Sequence, residues 1–439
     1  MMQKTRKYFS QDLLISKIKK AITDSIKPVS IRKNGSISDT DCLMSALAMF
    51  SFKFPTMLQF DEQYKADEAL KQNIANLFGV QQVLSDTSIR ERVDLIDPSS
   101  LRSSFTRIFA LLQRGHLLDH FRFMDQYYLI SLDGTGYFSS ASINCDQCCI
   151  KEHKNGSKTY YHQMLSAALV HPEQKVVYPF APEPILKQDG IEKNDCERNA
   201  AKRWLQEFRR EHPHLSVVIV ADGLSSNSPF IELLKQYNMH FILVCQEADH
   251  RYLMDWVNNA DEVDAPSLEI KDGKIGRKYQ YMHDVPLNSS SKTTVNVLRY
   301  WETKNNQTSK WIWVTDLKIN NANVKQIMQG GRARWRIENE TFNTLKNQGY
   351  NFEHNYGHGY KNLSTVLAFL MLLSFFIDQV LQAVNKRFYA ALQHVRAKRI
   401  LWESMRSVLR TYIIPSFESL YEVIVHPPPP IVLSNITQS

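Results

Sequence analysis

The sequence predicts an α/β protein in which a mixed sheet is flanked by helices, with an all-helical N-terminal region and a β-rich insertion. Three observations support this fold class. Residues 1–122 carry apolar positions at spacings of three and four, which is typical of packed helices. From residue 123 short apolar strands alternate with amphipathic helices. Residues 246–318 are strand-like and contain Asp-Gly and Asn-rich turns.

Composition limits the class of function. The chain has 439 residues, of which 43% are hydrophobic, and this is enough for two or three domains with a sizeable core. A formal charge of +8 is unusual for a cytosolic enzyme of small metabolites, and it indicates a polyanionic partner such as nucleic acid. Charge alone does not separate DNA from RNA or from an anionic membrane.

Two segments bear on cellular location. The N-terminal segment MMQKTRKYFSQDLLISKIKK is interrupted by charges and lacks the apolar core of a signal peptide, so we expect a cytoplasmic protein. The 13 residues of TVLAFLMLLSFFI (365–377) fall short of the roughly 20 that a membrane span needs, so we expect a buried helix and no membrane partner. Six cysteines without a signal favour free thiols or metal ligands over a disulfide framework.

The N-terminal region contains the layout of a helix-turn-helix. A helical segment at 68–80 ends in glycine, and a second segment at 87–96 can be capped by Ser85 or Asp86. The residues near the start of this second helix that are candidates for DNA contact are Thr87, Ser88, Arg90 and Arg92. Any helical hairpin with a glycine in its turn has the same layout, so plain helix packing is the alternative.

The central region follows the element order of a known fold. Three strands are predicted in a row, at YYLISLDG (127–134), TYYHQMLSAALV (159–170) and KVVYPFAPEPI (175–185). An amphipathic helix at 195–212 comes next, and then two buried strands, SVVIVADG (216–223) and HFILVC, which flank another helix. Three strands, helix, strand, helix, strand is the order of the ribonuclease H fold.

Two of these strands end in an aspartate. Asp133 follows an apolar run, and a carboxylate taken out of water costs several kcal/mol unless it is paired or bound to a metal. Asp222 ends the SVVIVADG strand, which lies parallel to the first strand in this fold. The two carboxylates would then be neighbours that repel each other unless a divalent cation lay between them. We expect them to share a metal.

A third carboxylate is predicted from helical phase. The segment ARWRIENETFNTLKNQG (333–349) is expected to form a helix that starts after the glycines at 330–331. At about 100° per residue, Glu338 falls within the apolar stripe and Glu340 points to the opposite side. The apolar residues of that stripe are Trp335, Phe342 and Leu345. Glu338 is therefore the expected third ligand, and the alternative is that it only pairs with Arg334 one turn earlier.

At this point the sequence resembles a known family. The segments DGTGYFSS, VADGLSSNSPFI and RWRIENETFNTLK, in this order and separated by a β insertion, are similar to the three acidic motifs of DDE-type bacterial insertion-sequence transposases. The likeness covers roughly residues 80–385 and extends to DCERNAAKRWL and GYNFEHNYGHG. It implies a catalytic triad of Asp133, Asp222 and Glu338 that binds two Mg²⁺ (or Mn²⁺) ions.

The resemblance also implies the reaction and the partners. Such an enzyme cleaves double-stranded DNA at the terminal repeats of its element and joins the freed 3′-hydroxyl to target DNA. It would act as a homodimer on paired ends, in the bacterial cytoplasm and associated with the nucleoid. A metal-dependent nuclease or resolvase on the same fold, or an inactive copy that only binds DNA as a repressor, are the alternatives.

Related families carry a signature around the glutamate: Tyr, two residues, Arg, three residues, Glu, six residues, Lys. Arg334 and Glu338 fit it, but Gly331 stands at the tyrosine position and Leu345 at the lysine position, with Lys346 one place later. The resemblance places Arg334 and Lys346 against DNA phosphates. An ordinary solvated basic face is the alternative for Lys346.

Tryptophans in the insertion are further candidates for DNA contact. In similar transposases an aromatic residue of this region stacks on a flipped base, which is worth about 1–3 kcal/mol. Trp301 is the candidate for this role, with packing in the β core as its alternative, and we expect Trp311 and Trp313 to pack in the core.

The segment CDQCCIKEH (145–153) suggests a zinc site. Cys145 and Cys148 have knuckle spacing, and His153, His162 or Cys196 could complete four ligands. Plain thiols on a turn between strands are the alternative. Two further histidines, His354 and His358, are spaced by four in a loop that contains glycine, and we expect them to contact DNA or backbone rather than a metal.

These observations divide the chain into five parts. They are a helical DNA-binding region (1–122), a first part of the catalytic core (123–245), the β-rich insertion (246–318), a second part of the core with the glutamate helix (319–385), and a basic C-terminal helix and tail (386–439).

Overall fold

A computed structural model describes residues 8–26, 37–187, 196–261 and 263–430. The first seven residues and the end of the predicted tail lie outside these ranges. The N-terminal region is helical, as predicted. Its helices are α1 (Gln11–Ser25), α2 (Asp39–Ser51), α3 (Met57–Ala66), α4 (Glu68–Phe78), α5 (Asp86–Val93) and α6 (Arg102–Arg114).

Side-chain caps fix where most of these helices begin. An oxygen at the N-cap accepts a hydrogen bond from a free backbone N–H of the first turn, which stabilises a helix end by about 1 kcal/mol. The capping residues are Ser10, Ser38, Thr56, Asp67 and Ser85. Of the two caps proposed for α5, the structure therefore uses Ser85.

The central region contains eight strands and two helices. The strands are β1 (Arg122–Phe123), β2 (Tyr127–Ser140), β3 (Cys149–Glu152), β4 (Lys158–His171), β5 (Gln174–Pro179), β6 (Glu183–Ile185), β7 (Val217–Ala221) and β8 (His240–Val244). The helices are α7 (Glu197–Glu211) and α8 (Ser228–Gln236). Short 3₁₀ turns occur at Pro98–Leu101, Leu117–Phe121 and Gly223–Ser225.

The strand order is that of the ribonuclease H fold, as predicted. Strand β2 is central: it pairs antiparallel with β4 and parallel with β7, and β7 pairs parallel with β8. Strands β5 and β6 both pair antiparallel with the other edge of β4. The first three predicted strands thus form an antiparallel unit to which two parallel strands are added.

The insertion extends this sheet instead of forming a separate body. It consists of α9 (Arg251–Asn259), β9 (Ser267–Asp272), β10 (Ile275–Pro286), β11 (Thr294–Lys304) and β12 (Gln307–Thr315). Strand β12 pairs antiparallel with β8, so that the order β8-β12-β11-β10-β9 continues one 12-stranded sheet. Asn305 and Asn306 both have positive φ, which suits the tight β11–β12 turn. Helix α9 was not predicted.

The helix after the insertion starts earlier than predicted. Helix α10 spans Val324–Arg332, so Gly330 and Gly331 lie inside it. A Cβ at Gly330 would lie 2.8 Å from the Phe123 ring, and one at Gly331 would lie 2.5 Å from the Trp313 ring. The glycines therefore allow α10 to pack closely on the sheet, and the prediction that the helix starts after them was wrong.

The segment that follows is wound differently from an α-helix. Ile337–Phe342 forms a π-helix, and α11 (Asn343–Asn347) continues it. The wider turn changes the phase of the side chains. Trp335 is 49% exposed and does not belong to the buried stripe, contrary to prediction, whereas Phe342 and Leu345 are buried as predicted.

Four helices complete the chain: α12 (Leu363–Val384), α13 (Lys386–Val395), α14 (Lys398–Thr411) and α15 (Phe417–Val425). Helix α12 contains the apolar run and, with 22 residues, has the length and composition of a membrane span. Its most apolar window is entirely buried inside the protein, so it has the burial of a core helix, as predicted.

A buried ion pair joins α12 to the N-terminal helices. Lys53 Nζ lies 2.5 Å from Asp378 Oδ2, and the Tyr350 hydroxyl donates a hydrogen bond of 2.5 Å to the same oxygen. The ammonium group also lies 4.2 Å from the Trp402 ring centroid. Burial lowers the pKa of Lys53, and Asp378 opposes this effect. The N-terminal and C-terminal helices thus share one core with α12.

Candidate active site

Strand register brings the two aspartates together. In the parallel β2–β7 pair, Ser131 lies opposite Val220. Asp133 and Asp222 are each two residues further along, so they occupy corresponding positions on the same face of adjacent strands, which are about 4.8 Å apart. Asp222 also caps the following 3₁₀ turn, since its Oδ1 accepts a hydrogen bond of 3.1 Å from the Leu224 N–H.

The π-helix brings Glu338 to the same place. Arg334 Nη1 lies 2.7 Å from Glu338 Oε1 and 3.5 Å from Asp133 Oδ2. The Ser131 hydroxyl donates a hydrogen bond of 3.0 Å to the Arg334 carbonyl, which ties this turn to strand β2. Glu338 therefore pairs with Arg334 and also approaches Asp133. Glu340 instead pairs with Arg336, at 3.1 Å.

Burial makes Asp133 a weak acid. Desolvation raises the pKa of Asp133 to about 7, and the negative charge of Glu338 acts in the same direction. The Arg334 guanidinium opposes both effects. A carboxyl group in a cleft whose pKa is shifted in this way is a candidate functional residue.

A fourth carboxylate, Glu197, was missed by sequence reasoning. It is the first residue of α7, and a Cβ on Gly134 would lie 2.1 Å from its Oε1, so the carboxylate lies directly over the backbone beside Asp133. Burial raises the pKa of Glu197, and Asp222 contributes to this shift. The sequence DCERNAAKRWL contains the signal, because Glu197 lies at the start of the predicted helix. The prediction used only the apolar face of that helix.

These groups border a cavity of about 600 Å³, whose lining includes Asp133, Glu197 and Asp222. Arg198 and Lys202 also line it. Together with Glu338, the acids offer several carboxylate oxygens, and hard oxygen donors of this kind fit divalent cations such as Mg²⁺. The oxygens of these acids do not form a group of three or more ligand atoms within 4.8 Å of one another. Among the described residues such a group occurs only at Cys145, Cys148, His162 and His358.

A second groove, of about 810 Å³, lies between the insertion and the glutamate helix. Its charged lining residues are the cations Arg277, Lys325, Arg332 and Arg336 and the acids Glu173, Asp272 and Glu302. Arg277 pairs with Asp272 at 3.0 Å, and Arg332 lies 3.6 Å from Glu302. Two tryptophans also line it: the Trp311 ring lies under Arg332 at 4.9 Å, and the Trp335 ring lies under Arg334 at 4.4 Å. Trp335 thus connects this groove to the carboxylates.

Trp301 lies on the other face of the insertion sheet. It pairs with Lys310, whereas its neighbour Tyr300 pairs with Trp311, and successive residues of a strand point to opposite faces. The Trp301 ring contacts the Arg299 guanidinium at 5.0 Å. Trp313 is buried, as expected for packing, but Trp311 is partly exposed in the groove.

Three basic residues predicted to bind DNA are paired within the protein. Arg92 Nη2 lies 2.5 Å from Asp39 Oδ1, and Arg90 lies 3.4 Å from Asp86 and packs against Gly357. Lys346 Nζ lies 2.7 Å from a Glu353 carboxylate oxygen. Helix α5 is thus docked on the loop before α12, which is the packing alternative considered for this segment.

The cysteine segment assembles with different partners from those predicted. Cys145 and Cys148 lie beside His162, which was one of the candidates, and beside His358, for which we predicted no metal. His153 Nε2 instead lies 2.8 Å from the Thr159 hydroxyl, and Cys196 borders the acidic cavity. The predictions of His153 and Cys196 as ligands are therefore wrong in this geometry.

Comparison with known proteins gives one match at the family level. A family described as "Transposase DDE domain" matches residues 145–376, more than half of the chain. The matched range contains Asp222 and Glu338 and begins after Asp133. No curated protein matches the chain. Among solved structures it is similar to a piggyBac transposase in a synaptic complex with hairpin DNA, with 10% identity, a TM-score of 0.45, and coverage of 96% of this chain and 83% of that one.

Proposed function

Because this chain belongs to the transposase DDE domain family, we propose that it binds the terminal repeats of an insertion sequence, cleaves the DNA at the element ends and joins the 3′-hydroxyl ends to target DNA. One observation carries the proposal: Asp133 and Asp222 have matching register on neighbouring strands, and Glu338 approaches Asp133 across the Arg334 guanidinium. This is the arrangement that phosphoryl transfer requires of a protein, since it needs alignment and charge compensation more than covalent chemistry.

Asp133, Asp222 and Glu338 would hold two Mg²⁺ or Mn²⁺ ions, and Glu197 is close enough to support them. Bound ions of this kind supply charge neutralisation and an activated water or 3′-hydroxyl. The protein's own contribution is to present carboxylates on a rigid sheet edge. Partial burial of Asp133 strengthens the charge interactions of this carboxylate.

Arg334 has two roles in this proposal. Its guanidinium pairs with Glu338 and Asp133, so that these partly buried acids do not face each other uncompensated. The same planar guanidinium, which lies 4.4 Å from the Trp335 ring, would contact a DNA phosphate next to the cleavage position.

This second groove is the proposed track for DNA. Lys325 would bind phosphates there, and Arg277, Arg332 and Arg336 would do so by exchanging their carboxylate partners for phosphate. The exposed ring of Trp335 offers a stacking surface next to the acids. The sequence favoured Trp301 for stacking, but its ring faces away from this groove. We therefore assign stacking to Trp335, with Trp311 as a second surface.

The test uses purified protein, Mg²⁺ or Mn²⁺, and labelled DNA that carries the repeats flanking the gene. Strand-transfer products support the transposase. Cleavage without joining supports the nuclease or resolvase alternative, and binding without cleavage supports the repressor. Pairing of two ends requires two active sites, so light scattering of the DNA complex should give the mass of a homodimer.

A further inference from the structure

Four sulfur and nitrogen donors from distant parts of the chain converge away from the acidic site. Cys145 and Cys148 lie on the turn between β2 and β3, His162 lies in β4, and His358 lies in the loop between α11 and α12. The Cys148 N–H donates a hydrogen bond of 3.1 Å to the Cys145 carbonyl, which brings both thiols to one side of the turn. Cys148, His162 and His358 are buried, and Cys145 is partly exposed.

Five of the six distances between the donor atoms match the edges of a tetrahedron, and the sixth, from Cys145 to His358, is no more than 4.8 Å. Bonds of about 2.3 Å to sulfur and about 2.0–2.1 Å to nitrogen imply edges of about 3.8 Å for S–S, about 3.5 Å for S–N and about 3.3 Å for N–N. The Sγ atoms of Cys145 and Cys148 are 3.8 Å apart, and the Nε2 atoms of His162 and His358 are 3.2 Å apart. The S–N distances are 3.5 Å from Cys145 to His162, 3.4 Å from Cys148 to His162 and 3.3 Å from Cys148 to His358.

Both imidazoles direct Nε2 at the cluster. His358 Nδ1 lies 3.0 Å from the Gly359 carbonyl, which can only accept, so Nδ1 carries the proton and Nε2 has a free lone pair. His162 is 1% exposed, and its Nδ1 has no hydrogen-bond partner among the described residues. Nε2 is thus the atom through which this buried ring can be stabilised.

We propose that Cys145, Cys148, His162 and His358 bind one structural zinc ion, a site separate from the metals of the proposed reaction. Two thiolates balance the charge of Zn²⁺, so the complex is neutral and tolerates burial. Tetrahedral coordination by two sulfurs and two nitrogens is typical of zinc. Binding releases the protons of the two thiols.

The position of this site gives the metal a defined task. Three ligands belong to the hairpin of the catalytic sheet, and the fourth belongs to the loop that follows the Glu338 segment. The same loop is held from the other side by Asp94, which accepts hydrogen bonds of 2.9–3.0 Å from four consecutive backbone N–H groups at 360–363. Zinc therefore joins the strands that carry Asp133 to the segment downstream of Glu338.

The experiment measures zinc in the purified full-length protein by plasma mass spectrometry after dialysis, with Cys148→Ser and His358→Ala as test variants. Cys149→Ser is the matched control, because the neighbouring Cys149 thiol instead donates to the Ile185 carbonyl at 3.6 Å. We expect about one zinc per chain in the wild type and in the control, and at least about tenfold less in the test variants. Asp133→Ala should keep its zinc, which separates this site from the catalytic metals.

A second measurement does not depend on folded variants. Wild-type protein reloaded with Co²⁺ should show the intense visible absorption of tetrahedral cobalt with a thiolate charge-transfer band. Absence of zinc from wild-type protein, together with failure to take up zinc or Co²⁺ under reducing conditions, would overturn the proposal. A Cys145–Cys148 disulfide found by mass spectrometry in protein kept under reducing conditions would also overturn it.

Discussion

The Arg334 guanidinium lies 2.7 Å from the Glu338 carboxylate, one helical turn away in the chain, and the same nitrogen reaches Asp133. One fixed positive charge thus lies where two cations are proposed to bind. This charge offsets the repulsion between two partly buried acids. It also makes the charge state of the site the most direct subject for experiments.

Substitution of Glu338 should separate the proposed ligand from its neighbour. Glu338→Gln should reduce metal-dependent cleavage by at least about 100-fold, because even residues that only support a metal ligand are worth about 10–100-fold. Glu340→Gln is the matched control, since Glu340 pairs with Arg336, and it should remain active. The measurement is cleavage of labelled repeat DNA. An active Glu338→Gln beside an inactive Glu340→Gln would refute the assignment.

The raised pKa of Asp133 predicts an unusual dependence of stability on pH. An aspartate in an unfolded chain has a pKa of about 3.9, whereas burial raises that of Asp133 to about 7. The folded protein keeps a proton that the unfolded chain loses, so this group's favourable contribution is full below about pH 4 and is lost as the pH rises to about 7. Without added Mg²⁺, Asp133→Asn should therefore raise Tm at about pH 8 and change it little at about pH 4.

Calorimetry of both proteins at the two pH values checks this expectation. If the Tm difference between Asp133→Asn and the wild type is the same at both pH values, burial does not raise the pKa of Asp133. Addition of Mg²⁺ should reverse the order at the higher pH, because the wild type alone gains the metal as a ligand.

Glu197 should act on metal affinity more than on DNA binding. Glu197→Gln removes a carboxylate beside Asp133 and Asp222, and we expect the Mn²⁺ concentration for half-maximal cleavage to rise about 10–100-fold. Glu211→Gln, at the other end of α7, is a control in the same helix, where Glu211 pairs with Arg102. An unchanged metal requirement would place Glu197 outside the reaction.

Trp335 should contribute more to DNA binding than Trp301. Loss of a stacked base is worth about 1–3 kcal/mol, so Trp335→Ala should weaken binding of repeat DNA by about 5–150-fold. Trp301→Ala, on the opposite sheet face, serves as its control and should have a small effect. Fluorescence anisotropy at fixed salt measures both, and the reverse order of effects would exclude the groove as the DNA track.

The buried pair of Lys53 and Asp378 should be important for folding. Asp378→Ala leaves the Lys53 charge buried without its partner, which is expected to cost about 3–5 kcal/mol of the free energy of unfolding. Asp24→Ala breaks only exposed pairs, with Lys20 and Arg107, and should change the free energy of unfolding far less. Urea unfolding compares them. Similar costs would contradict the structure around α12.

Sequence alone was sufficient for features that depend on local pattern. A carboxylate at the end of a buried strand has few explanations, and parallel strands align their ends, so the pairing of Asp133 with Asp222 follows from the strand order. Glu338 was chosen by α-helical phase, although the segment is a π-helix. The same α-helical phase predicted that Trp335 is buried, but its side chain is half exposed in the structure.

Other features depend on contacts that the sequence does not display. A helix was predicted to start after Gly330 and Gly331, but both glycines lie inside α10, where contacts with Phe123 and Trp313 leave no room for a side chain. His358 lies 196 positions from His162, so no spacing rule could join it to the cysteines. Glu197 was missed because it belongs to an amphipathic helix, in which a charged residue is expected and needs no functional role.

The shared core around α12 has a practical consequence. A truncated protein that lacks the N-terminal helices, as though they were a detachable module, would uncover one side of a 22-residue helix as apolar as a membrane span. Such a fragment should be recovered in inclusion bodies or adsorbed to lipid. If it fails to bind DNA, the cause would be loss of the fold and not loss of a DNA-recognition element.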